Sequence, residues 1–517
     1  MTRDRSNSRI APRGPLAARA ARLGAVAAAA VLALAALPAA ASADTGRAFF
    51  VATSGSDSAP GTKAKPWRTI QKAANTVPAG STVEIRGGVY RERVVVRVSG
   101  GPGAWITFRS YAGEHVRLDG TGLGPYDGIA GLVAIDSRAY IAVEGLEIAH
   151  FHDLADTFVP AGVFVTGTAH HIALRNLDVH DIRTATADAH GIAVYGTSGD
   201  TAIHHVTIDA NSVHDNHLGS SESVVVNGNV RDWTITHNHV FRNDNIGIDA
   251  IGFEGKAPRN DQARDGYIAD NLITDIDSLG NPAYDEEGGG NCRCADGIYI
   301  DGGRDLLIER NTVLRSNIAL EIASEHSFGS ASNVLARDNL LADSTTIGLA
   351  MGGYDTLRGQ TVNARVVNNT FVNNDTLGTG SGEILLQYRV YDSQILNNVV
   401  VANAQAIMIA NPFTENAGNR VDGNDWWVAG APPAAATWEW KTVTYHGFAA
   451  YRRATGNDAH SLFADPRLGA GGRLGAGSPA IDASLDTPLA GPLDLYGAPR
   501  RQGRAIDIGA VERRPGG

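Results

Sequence analysis

From about residue 130 to 430 the chain repeats one hydrophobic rhythm. A short run of alternating Val, Ile, Leu and Thr is followed by a turn, a second such run, an asparagine and a third run. The asparagine-bearing runs are LRNLDV (Asn176), DANSV (Asn211), THNHV (Asn238), ADNLI (Asn271), ERNTV (Asn311), RDNLL (Asn339), VNNTF (Asn369), LNNVV (Asn398) and DGNDW (Asn424). Their successive spacings are 35, 27, 33, 40, 28, 30, 29 and 26 residues. Self-similarity at a period of 20–50 residues marks a solenoid. Alternation at period two predicts strands, and helical periodicity is confined to Thr69–Val77.

Three short strands per cycle predict one coil of a parallel β-helix, an all-β solenoid of about ten coils. The asparagines would stack at one turn, each amide bonding its neighbour on the next coil. Asn and Gly also tolerate the left-handed backbone that tight turns need. A propeller would require four antiparallel strands per blade and a leucine-rich repeat a leucine framework; neither pattern is present.

Composition changes the picture at the two ends and in the charge. Hydrophobic residues make up 43 % and charged residues 19 % of 517, the balance of a packed chain rather than a disordered one. Residues 1–43 combine six arginines (Arg3, Arg5, Arg9, Arg13, Arg19, Arg22), the apolar run Leu23 to Leu37 and Ala41-Ser42-Ala43. That order predicts a secretory signal peptide, hence an extracellular protein with no membrane attachment after cleavage. The apolar run is short of the ~20 residues a membrane span needs. The net charge of −11 becomes −16 once the leader is removed, which disfavours nucleic acid as a partner. Cys292 and Cys294 are the only cysteines, too few for a disulfide framework and a poor zinc site by themselves.

The opening segment FFVATSGSDSAPGTKAKPWRTIQKAANTVPAGSTVEIRGGVYRERV (49–94) carries an initial strand, a Gly-Ser-Asp loop, a short helix and a Gly-x-Tyr first coil. With GAGSPAIDAS (475–484) and AIDIGAVE (505–512) it resembles secreted right-handed parallel β-helix proteins of the pectate-lyase-like superfamily. The resemblance implies one domain over 44–512: an N-terminal cap and first coil at 44–95, repeat coils at 130–430, and a closing segment at 431–512. It implies a fold and not a reaction, because the superfamily holds lyases, hydrolases, epimerases and adhesins.

Candidate chemistry follows from aligning the strand that opens each coil: GIAV (191–194), SVVV (223–226), GIDA (247–250), GIYI (297–300), ALEI (319–322) and GLAM (348–351). The residue before the third position is always Ile, Leu or Val, so it faces the core. The third position and the one two beyond it then face outward. The first of these columns reads Ala193, Val225, Asp249, Tyr299, Glu321, Ala350; the second reads Tyr195, Asn227, Ile251, Asp301, Ala323, Gly352. Asp249, Asp301 and Glu321 thus share one face of three coils. Strand spacing puts Asp301 roughly 8 Å from each of the other two, within the range of about 6.5–9.5 Å that suits an inverting glycosidase.

Long insertions flank this face. They supply Glu254 and Lys256, then residues 277–294 leading to Asp296, then Glu325 and His326, then Tyr354 and Arg358. Asp249, Asp301, Glu321 and His326 are the catalytic candidates. Glu254, Lys256, Tyr299, Glu325, Tyr354 and Arg358 are the candidates for substrate binding, and Phe253 and Tyr284 are further rings able to stack on sugars. Within the resemblance, ADGIYID is similar to the DDGID type of calcium-binding motif of one pectate lyase group. Asp296 matches one aspartate there, while Ala295 and Tyr299 replace two others and Glu321 stands where that group has its lysine base. EIASEH (321–326) likewise resembles a lyase pattern in alginate and chondroitin lyases, with His326 in place of a lysine.

Three functions remain open: hydrolysis of an extracellular polysaccharide, which the pair of carboxylates favours and which requires no cofactor; β-elimination on a uronate glycan, with calcium held by Asp296, Asp249 and Asp301 and with Lys256 or His326 as base; and non-catalytic glycan binding. The protein is expected to act as a monomer on polysaccharide. Glu321, flanked by Tyr299 and His326, is expected to have the higher pKa and serve as general acid. Asp301, beside Gly302 and Gly303, would stay ionised and activate water or bind a cation. His204, His205, His237 and His239 show no metal-ligand spacing and are expected to be turn or surface residues.

Overall fold

A computed structural model describes residues 47–284 and 292–514. The expected leader and residues 285–291 of the 277–294 insertion lie outside the described residues. Every third strand joins the same sheet, giving three sheets of 15, 13 and 13 strands, parallel except where Thr437–Trp440 pairs antiparallel with Val443–His446 at the end of one. His190–Gly196 pairs with Val224–Gly228, for example, which pairs in turn with Ile248–Ile251. The solenoid has about thirteen turns rather than ten. The asparagine series undercounts because the coils before residue 176 carry no asparagine at that turn, where Leu146 and Leu177 stand instead.

Inward-facing Ile192, Val194, Val224, Val226, Ile248, Ala250, Ile298 and Ile300 belong to one continuous aliphatic core. Each of the larger ones contributes ~1.5–3 kcal/mol by leaving water. Trp233, one of three fully buried tryptophans of this interior, lies opposite Gly266 on the next coil, where a Cβ would stand 2.1 Å from its ring. The first end of the core is closed by the helix Ile70–Thr76, which buries Ile70, Ala73 and Ala74. Its N-cap is Thr69, whose hydroxyl accepts from the Lys72 amide at 3.1 Å. Asp57 of the Gly-Ser-Asp loop accepts from the Arg68 and Thr69 amides, both at 3.0 Å, so that loop serves to fasten the cap.

The asparagine ladder runs from Asn211 through Asn238, Asn271, Asn311, Asn339, Asn369 and Asn398 to Asn424, with amide-to-amide bonds of 2.9–3.1 Å. Asn176 is not a rung. It is exposed, with φ +52°, and Leu177 occupies the ladder position and donates its amide to Asn211 Oδ1 at 2.9 Å. The left-handed residue in each turn is the one before the rung, such as Ala210, His237, Asp270 or Arg310. The rung itself is buried.

Residues near 485–512 lie along the outside of the coils. Leu495, Ala510 and Val511 pack on Leu340 and Ala342, and the Ala510 amide donates to Thr370 Oγ1 at 2.9 Å. Beneath them is a buried ionic network. Glu309 meets Arg337 at 2.6 Å and also Arg310, and it accepts from the Tyr267 hydroxyl at 2.8 Å; Arg500 reaches Asp338 at 3.5 Å.

Candidate functional site

Three consecutive strands of one sheet, Ile248–Ile251, Asp296–Asp301 and Ile318–Ala323, carry the acids. Their register pairs Asp249 with Tyr299 and Tyr299 with Glu321, so the first outward column forms as the alternation predicts. The second column slips at one place: Ile251 bridges to Gly302 instead of lying beside Asp301. The Asp301 amide is thereby turned toward Asp249 Oδ1, at 3.5 Å.

The outward face is not an open one. Asp249, Asp296, Asp301 and Glu321 are 2 %, 3 %, 5 % and 5 % exposed, covered by the insertions that follow these strands. Tyr299, a candidate for substrate binding, is equally buried between Asp249 and Glu321 and presents no open ring face. A cleft of about 550 Å³ is lined by Phe253, Asp261, Glu325, His326, Phe328 and Arg358, among others, and adjoins the acids through Glu325 and His326, which contact Asp301.

Burial governs the electrostatics. It raises the carboxyl pKa of Glu321, and the nearby charges of Glu325 and Asp301 add to the effect. Asp296 is raised by burial and by Glu321, and Asp249 by burial, Glu222 and Asp301. Asp301 has more support: its Oδ1 accepts from the Glu325 amide at 2.7 Å, and Oδ2 lies 3.4 Å from His326 Nε2. That contact in turn raises the pKa of His326. Glu325 reaches solvent at the rim, yet burial of its carboxyl and the charge of Asp301 push it up to about 7.

Three residues complete the cluster: His190 and Glu222, which the column alignment overlooks, and Gln387, which continues the second outward column beyond Gly352. Glu222 lies 3.3 Å from His190 Nδ1, and His190 Nε2 is 3.4 Å from the Tyr195 hydroxyl. Gln387, from a coil further on, faces Glu321. His190, Glu222 and Asp296 each stand three residues before the first outward column, so a third column was present in the sequence.

Several expected contacts are spent within the protein. Lys256 lies 3.5 Å from Glu254 and over the Tyr195 ring, and Glu254 also accepts from Asn227. Arg358 covers one face of the Tyr354 ring at 4.5 Å and donates to the Glu325 carbonyl at 3.3 Å, while Tyr354 itself stays exposed. Tyr284 donates to Asn245 at 3.3 Å, whereas Phe253 is exposed in the cleft wall. Cys292 and Cys294 form a disulfide with Cα atoms 5.5 Å apart.

A calcium ion would want six to eight converging oxygens. Buried Asp296 Oδ1, Glu321 Oε1 and Gln387 Oε1 have no hydrogen-bond partner and are hard donors of the right kind. Yet among the described residues no three carboxylates bring oxygens within 4.8 Å of one another, so Asp249, Asp296 and Asp301 do not form the expected cage.

Residues 49–298 match the family model for the Pel9A-like right-handed β-helix region. The chain is 38 % identical over 425 residues to the uncharacterized protein YwoF of Bacillus subtilis (strain 168), covering 82 % of this chain and 88 % of that one. It is 36 % identical over 119 residues to pectate lyase PEL9 of Emericella nidulans, 22 % of this chain and 29 % of that one. Among solved structures, a complex of XylC with xylose superposes with a TM-score of 0.50 at 14 % identity, over 90 % of this chain and 99 % of that chain, a likeness of fold alone. An initial strand with a fastened capping helix, a parallel three-strand coil and these sequence matches agree: the chain belongs to the pectate-lyase-like family of right-handed parallel β-helix proteins.

Proposed function

We propose that this is a secreted glycoside hydrolase acting on an extracellular polysaccharide, with Glu321 as general acid and Asp301 as the carboxylate that activates water. The observation that carries the proposal is the difference between two neighbouring carboxyls. Glu321 is buried with an unpartnered Oε1 and a raised pKa, so it retains a proton to give to a glycosidic oxygen. Asp301 instead accepts from the Glu325 amide at 2.7 Å and lies 3.4 Å from His326 Nε2, contacts that hold its carboxyl in place. Their diagonal placement on adjacent strands spans roughly 8 Å, room for a water between Asp301 and the sugar. His326 positions Asp301, and Phe253 offers an apolar face at the cleft wall.

β-Elimination is the second reading, favoured by the pectate lyase relative. It requires a base and a cationic partner for a uronate. Lys256 is engaged by Glu254, and Glu321 occupies the place of the base. Product analysis over neutral and uronate glycans, with and without chelator, separates the two. Hydrolysis gives new reducing ends without ultraviolet absorbance. Chelator-sensitive ultraviolet-absorbing products would overturn the proposal, as would unchanged glycan affinity and no turnover in both wild type and the Asp249→Asn/Asp301→Asn/Glu321→Gln variant.

A further inference from the structure

Ten of the sixteen histidines pair with a carboxylate: His115, His150, His152, His180, His190, His214, His217, His237, His326 and His460. Four others pair with one another. His170 and His171 open one strand, and His204 and His205 lie beside them on the next coil of the same sheet. His204 and His205 are at the surface, as expected, but they are clustered with His170 and His171 rather than spread apart.

The backbone explains why all four rings meet. Neighbouring strand residues normally point to opposite faces. His171 and His205 adopt φ +54° and +56°, a left-handed step that breaks the alternation. Ile172 and Val206 then resume the inward direction. Within each pair the Nδ1 atoms approach to 3.0 Å and 2.8 Å. Between coils the rings stack, His170 on His204 at 5.0 Å and His171 on His205 at 4.5 Å, within 9° of parallel. Tyr140 stacks on His171 at 4.3 Å and fixes one end of the pile. On the other side Arg231 turns its guanidinium to Asp232.

We propose that His171, His204 and His205, with His170 as a fourth donor, form a binding site for a divalent transition-metal ion that fastens two successive coils from outside. The donor nitrogens of the first three all lie within 4.8 Å of one another. Adjacent ligands of an ion with metal–nitrogen bonds of about 2.0–2.1 Å stand ~2.9 Å apart at right angles and ~3.4 Å apart at the tetrahedral angle. Both within-pair separations are short enough for two rings to share one ion, and among divalent metals that take imidazole copper(II) binds most strongly. Imidazole-only donors exclude calcium and magnesium, which take oxygen. The site is on a different sheet from the acid cleft and independent of the reaction there.

The test uses untagged, metal-free protein titrated with copper(II), nickel(II), zinc and calcium by calorimetry, with electron paramagnetic resonance on the copper form. The expected result is one equivalent of copper(II) with three or four equatorial nitrogens, no calcium binding at these histidines, and a loss of roughly 100-fold or more in copper affinity in His171→Gln/His204→Gln. His237→Gln, whose imidazole pairs with Asp209, should bind as wild type does. If the double variant is poorly folded, the wild-type spectrum decides alone: fewer than three nitrogen ligands overturns the proposal. So does equal copper affinity in wild type and a folded double variant.

Discussion

Glu309 and Glu321 are twelve residues apart, both buried, and titrate in opposite directions. Burial works against the charge on Glu309, but Arg337 and Arg310 outweigh it and hold the carboxyl below its ordinary range. Burial raises Glu321, and its acidic neighbours Glu325 and Asp301 raise it further. Glu309 lies among arginines that match its charge, whereas Glu321 lies among the acids Asp296, Asp301 and Glu325. The difference teaches that burial alone does not distinguish a structural carboxyl from a chemical one. The sign of the surrounding charge does.

The sharpest way to break this comparison is to remove a partner from each. Arg337→Met leaves Glu309 under-compensated and should cost ~3–5 kcal/mol in urea or thermal unfolding. Glu321→Gln should leave stability at neutral pH unchanged or higher while lowering turnover by ~10²–10⁴-fold. Equal destabilisation by the two would erase the distinction drawn between them. Within the cleft, Glu321→Gln should lose least on substrates with good leaving groups, whereas Asp301→Asn should lose on all of them.

The pH dependence of stability gives a second, smaller contrast. The folded pKa of Glu321 lies above its unfolded value, so its contribution is complete below about 4.5 and is lost as pH rises towards about 8. Glu309 has a lowered folded pKa, so its contribution is present above the ordinary glutamate range and fades on acidification. Melting temperature followed from pH 4 to 9 should therefore show a downward slope that Glu321→Gln flattens, by at most ~1.4 kcal/mol per pH unit. An unchanged slope would remove Glu321 as its source. Smaller again, His326→Gln should reduce turnover by roughly tenfold and move the acidic limb of the pH–rate profile while leaving the alkaline limb in place, because His326 orients the base Asp301 without touching the acid.

Much of this was legible beforehand. Period-two alternation and the recurring asparagine specify the coil and its stacking direction, and the register Asp249–Tyr299–Glu321 follows from them. What failed did so for local reasons. Asn176 was misread because asparagine suits two adjacent positions, the left-handed residue and the buried rung, and only hydrogen bonding separates them. The long insertions marked that this face would be walled, but how completely Asp249 and Glu321 are buried was not legible, because loops have no periodicity. The histidine quartet was missed because strand alternation places neighbours on opposite faces, and a left-handed step at His171 and His205 cancels that rule.

The rungs of the asparagine ladder keep the same separation whether the chain between them is 26 or 40 residues long. Coil height is therefore decoupled from coil length. A lineage carrying this rail can lengthen, exchange or delete a loop on one face without disturbing the pitch of the turns above and below it. Specificity for a new glycan can thus change by loop replacement while the carboxyls beneath keep their places.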